Sequence, residues 1–110
     1  MQILPEYLYY LTPSIKLEKI LKRGLVPKIP YSGSMIPPRI YFSENIEKLE
    51  NLSKSFYKNT LIKNWVLLKI DITKTSDNFR LYKDYRTDDG FYTMDNIAPD
   101  IIEVLKEINF

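Results

Sequence analysis

Residues 7–27 constrain this chain more than any other stretch. They read as a short strand, a helix, a glycine stop and a return to extended chain. Tyr7 to Leu11 is aromatic and apolar, which suits a pleated, half-buried strand. Thr12 or Ser14 offers a helix cap, and Pro13 fits a first turn, where its missing N–H costs nothing. Leu17, Ile20 and Leu21 then fall on one helical face. Gly24 stands where a left-handed terminal residue is wanted, and Pro27 blocks continuation. The spacing predicts a helix over residues 13–23.

The rest of the chain follows in short elements. Residues 28–38 hold Pro30, Pro37 and Pro38 with Ser32, Gly33 and Ser34, a composition that leaves no regular element and predicts a loop. Loops of that length are often functional. Arg39 to Phe42 reads as a strand. Ser43 is placed to cap a second helix over residues 44–56, with Glu44 and Glu47 in its first turns and Ile46, Leu49, Leu52 and Phe56 on its buried face. Trp65 to Ile72 is the strongest strand, with Val66, Leu68, Ile70 and Ile72 making one face fully apolar. Phe79 to Tyr82 reads as a strand or a single helical turn. Asp88-Asp89-Gly90 is a turn signal, and Phe91 to Met94 a strand after it. Ile101 to Ile108 has helical apolar spacing (Ile101, Val104, Leu105, Ile108). The order of elements predicts one α+β domain over residues 1–110, with a mostly antiparallel sheet and two main helices.

Composition removes much chemistry. The chain has 110 residues and is 45% hydrophobic, enough for one core. It has no cysteine and no histidine. Thiolate nucleophiles, histidine general bases, Ser-His-Asp triads and His- or Cys-ligated metals are thereby excluded. A carboxylate-bound magnesium or calcium would need a loop pattern that is not visible, so no metal is expected. The net charge of +2 is too small to imply nucleic acid. Lys16, Lys19, Lys22, Arg23 and Lys28 crowd the first thirty residues, either as the solvated face of the first helix or as a phosphate-facing patch. No apolar run approaches a membrane span, and Met1 to Glu6 lacks the regions of a secretory signal, so a cytoplasmic or virion location is expected. Abundant Lys, Ile, Asn and Tyr suits an AT-rich genome, such as that of a phage.

Three segments in order resemble the ADP-ribosyltransferase-like domains, which include diphtheria-toxin-type transferases, poly-ADP-ribose polymerases and RNA 2′-phosphotransferases. Many members open with Tyr-His-x-Thr, a short helix and Gly-Leu-x-Pro; Tyr9, Thr12, Gly24, Leu25 and Pro27 match, and Tyr10 takes the histidine position. Pro38 to Ser43 is similar to the second motif, a strand with an aromatic and then a small hydroxyl residue. Ile97 to Val104 is similar to the terminal Ile-Pro-Pro-x-x-Ile segment.

The resemblance implies a split sheet, with NAD in the cleft between its parts, and a final strand in place of the helix that the spacing of 101–108 suggests. It implies that Tyr10 bonds a ribose hydroxyl, that Thr12 and Ser43 help to hold the nucleotide, and that Tyr41 stacks on nicotinamide. Asp89 occupies the neighbourhood of the family glutamate that stabilises the oxocarbenium ion, on a shorter arm. Against these stand plainer roles: a packed strand tyrosine for Tyr10, helix caps for Thr12 and Ser43, core for Tyr41, a hairpin acid for Asp89. Two of three usual catalytic identities are changed, and the 2′-phosphotransferase histidine is missing. The expected function is a divergent protein binding NAD or an ADP-ribose-type nucleotide, with weak or absent transfer to a macromolecular target. The alternative is an inactive interaction or virion-associated phage protein; nine tyrosines, five phenylalanines and one tryptophan would suit such a surface.

Overall fold

A computed structural model describes residues 4–29 and 32–110. Met1 to Ile3, Pro30 and Tyr31, and the readings that fall on them, lie outside the described residues. Among the described residues six strands form one antiparallel sheet: β1 (Tyr7–Pro13), β2 (Ile40–Ser43), β3 (Asn64–Asp71), β4 (Tyr82–Lys83), β5 (Gly90–Thr93) and β6 (Ile102–Asn109), in the order β4-β5-β2-β1-β3-β6. Two helices join them, α1 (Leu17–Arg23) and α2 (Ile46–Thr60). No helix among the described residues is long and apolar enough to cross a membrane.

The sheet is nearly divided in its middle. β1 pairs with β3 along its whole length, from Tyr7↔Asp71 to Pro13↔Trp65. β2 pairs with β5 from Ile40↔Thr93 to Ser43↔Gly90. Between β1 and β2 the register holds a single pair, Tyr9↔Ser43. The resemblance implied a split sheet; the strands instead run in one continuous six-stranded order that is narrowest at this junction.

The two faces pack separately. Leu8, Val66, Leu68 and Ile70 from β1 and β3 join Ile40, Phe42 and Phe91 on one face, under Ile20 of α1 and under Leu25 and Ile97. On the other face α2 packs against β1, β2 and β3. There Leu67 is fully buried and Trp65 stacks on Phe56 with centroids 5.4 Å apart. β3 is thus buried on both faces, which explains its run of apolar residues better than alternation does. Ser53 of α2 is wholly buried, its hydroxyl donating to the Glu50 carbonyl at 2.6 Å. A small residue there lets the helix approach the sheet.

Several local expectations need correction. The first helix begins as a 3₁₀ turn, Ser14–Lys16, before α1, and neither Thr12 nor Ser14 caps it. Pro13 remains in β1, opposite Trp65, so the hydroxyls precede the turn in extended chain. Leu21 lies exposed on α1 and only Ile20 is buried. The second helix is capped by Asn45, whose side chain accepts from Lys48 N at 3.1 Å, because Ser43 is still held in the ladder against Gly90. Phe79 to Leu81 is neither strand nor helix, and only Tyr82–Lys83 pairs with β5. Residues 102–109 form a strand. Their helical spacing arises from a bulge at Leu105, where Lys106 pairs with Leu67 and Val104 with Leu68.

Candidate functional site

Where β1 and β2 part, a cleft of about 750 Å³ opens. Its floor comes from Tyr10 and Leu11 of β1 and from β2. One wall is α2, presenting Leu49, Leu52 and Phe56 together with Lys48, Asn51 and Ser55. Val26, Lys28 and Ile29 border it on the proline-loop side, and the connection between β4 and β5 supplies Asp84, Arg86, Thr87 and Asp89. Leu52 and Phe56 were expected in the core. They remain more than one-third exposed, because the halves of the sheet diverge beneath them and leave that part of the helix uncovered.

Tyr10, Tyr41, Ser43 and Asp89 all border this cleft. Thr12 does not: it is 2% exposed on the core side opposite Val66, and its hydroxyl donates to the Pro13 carbonyl at 3.3 Å. Tyr10 packs edge-on against Phe42 at 6.3 Å, its ring against the core cluster on the same face of β1 as Leu8 and Thr12, and burial pushes its hydroxyl pKa up. Tyr41 lies beside Tyr92, at 6.1 Å between centroids, with the Arg86 guanidinium 5.1 Å from its ring. The Ser43 hydroxyl accepts from Asn45 N at 3.0 Å, a local turn that leads the chain into α2.

Asp89 is more firmly held than its place beside a glycine suggests. Lys48 Nζ donates to its carboxylate at 2.8 Å, and its carbonyl accepts from Glu44 N at 2.9 Å. The hydrogen bond from Lys48 is the main reason its carboxyl pKa falls below the usual range. The other acid of the cleft, Asp84, is 8% exposed. Arg86 binds it bidentately, Nε at 3.0 Å and Nη2 at 3.1 Å, and Arg86 N adds a third bond at 3.1 Å. The side-chain bond from Arg86 depresses the Asp84 pKa and raises that of Arg86 itself.

Four cations, Lys28, Arg39, Lys48 and Arg86, therefore face two carboxylates that are already paired. Sequence reasoning missed Arg39, Lys48, Asp84 and Arg86. The available signal was weak: Arg39 opens the second motif-like segment, and Asp84 and Arg86 are near neighbours in sequence, but Lys48 meets Asp89 only through the fold. Among the described residues no group of three or more His, Cys, Asp or Glu is placed to hold a metal ion. No protein-family model matches the chain, and no curated protein matches it.

Proposed function

We propose that the chain is a divergent ADP-ribosyltransferase-like domain whose cleft takes NAD or an ADP-ribose-type nucleotide, with transfer chemistry close to absent. The observation that carries the reading is the convergence of Tyr10, Tyr41, Ser43 and Asp89 on one cleft at the division of the sheet. Its volume of about 750 Å³ lies in the range of small-molecule and cofactor sites. The Tyr41–Tyr92 pair and the apolar side chains of α2 offer surfaces to flat rings.

Transfer would break the bond between ribose C1′ and the nicotinamide nitrogen, nicotinamide leaving with the electron pair while an acceptor on a macromolecule attacks C1′. A free negative group beside C1′ is needed while the sugar carries positive charge. Both carboxylates of the cleft are committed, Asp89 to Lys48 and Asp84 to Arg86. This favours binding over turnover. Calorimetry with NAD and with ADP-ribose tests the reading: a saturable heat at millimolar ligand or below is expected, and no heat with either overturns it.

The exposed apolar residues Val26 and Ile29 beside the cleft favour a second reading, an inactive protein-interaction or virion-associated scaffold. Co-purification with a larger assembly, together with silence toward nucleotides, would select it.

A further inference from the structure

Lys28 and Arg39 form an isolated antiparallel bridge and exchange both backbone hydrogen bonds, at 3.1 and 3.0 Å. Residues directly opposite in such a pair bring their side chains together, and like charges there are destabilising. Both residues line the cleft, and neither has a carboxylate partner among the described residues. Arg39 carries a second oddity. Its guanidinium lies 4.0 Å above the Tyr92 ring, and its Nε is the side-chain polar atom left buried without a hydrogen-bond partner among the described residues. Buried donors are normally satisfied, and charged ones most of all. The nearby Asp84 carboxylate is already held by Arg86. A cross-strand pair of cations at one cleft wall, neither paired with a carboxylate and one held over an aromatic ring, calls for an anion.

We propose that Arg39 is the phosphate-anchoring residue of this cleft, assisted by Lys28, and that the cleft takes ligands whose phosphate lies beside a flat ring. The planar fork of an arginine matches phosphate oxygens, and the Tyr92 ring holds that fork in orientation. The ligand class rests on the nucleotide reading above, whereas the anion site stands on the cations alone.

The test is titration of the full chain with pyrophosphate, NAD and phosphate-free nicotinamide riboside, using the wild type, Arg39→Gln and Arg39→Lys. Thermal melts show that each variant is folded. The expected result is that Arg39→Gln weakens NAD and pyrophosphate by roughly ten- to a hundredfold, as loss of a charge-assisted bond does. Arg39→Lys should recover part of the loss, and nicotinamide riboside should bind both variants as it binds the wild type. Wild-type affinity for NAD should also fall with salt. NAD binding that is indifferent to Arg39→Gln overturns the proposal and leaves the nucleotide reading standing. Pyrophosphate binding that needs Arg39, without NAD binding, upholds the anion site and removes the nucleotide reading. No binding of any of the three overturns both. If Arg39→Gln does not fold, salt dependence of NAD binding and its displacement by pyrophosphate decide: both present uphold the proposal, and absence of either overturns it.

Discussion

Gly24 carries two constraints at one position. Its φ of +81° lies where other residues are strained, and a Cβ there would meet the Ile97 carbonyl. That carbonyl accepts from Leu25 N at 2.9 Å, so the end of α1 is bound to the segment leading into β6. Gly24→Ala is expected to destabilise by about 2 kcal/mol or more, read as a lowered denaturation midpoint. This glycine was legible in the sequence because helix termination has a local signature. The state of Asp89 was not, because Lys48 reaches it only when α2 lies over the β4–β5 connection. With its charge neutralised there, nicotinamide release from NAD should be near background in the wild type and unchanged in Asp89→Ala. Robust turnover abolished by that substitution would show that Lys48 yields the carboxylate in the bound state.

At the scale of elements, strands with a buried face announced themselves and helix starts did not. Two residues, Ser43 and Asn45, could each cap α2. The choice is made by where the β2 ladder ends, a fact about β5 rather than about local sequence. Asn45→Ala should cost about 1 kcal/mol and Asn45→Ser much less, measured by chemical denaturation. The same non-local logic hid the wall of the cleft, since Leu52 and Phe56 have the periodicity of core residues and are uncovered only because the sheet divides. The β4–β5 connection adds a pH dependence. Hydrogen bonds from Arg86 and Lys48 place the folded pKa values of Asp84 and Asp89 below the ordinary one. Their contribution is present above the unfolded value of about 3.9 and is lost as pH falls through the folded values. Stability should therefore decline below about pH 4. Arg86→Gln should make the decline shallower, as followed by thermal melts across the acid range.

For the whole molecule, the division of the sheet predicts unequal stability. β3 is paired on both sides along most of its length and buried on both faces, whereas β4 has two residues and β2 has four. Amide exchange in β2, β4 and β5 should exceed that in β1 and β3 by about tenfold or more, since opening of the smaller half spares the larger. The α+β class was legible because strand periodicity and helix punctuation alternate along the chain. That the β1–β2 junction would be a single pair within a continuous sheet was not, because a sequence carries no mark of how many residues of two strands will face each other.

That division also bears on how the domain would carry load. Across the β1–β2 junction the ladder has one rung, Tyr9↔Ser43, while β1 and β3 share seven paired positions. Tension applied across the strands meets its weakest point there, and rupture should start at the cleft rather than at either edge. A molecule lodged between the halves would act as a mechanical staple. The force of the first rupture event would then rise with occupancy, although nothing in the rest of the sheet had changed.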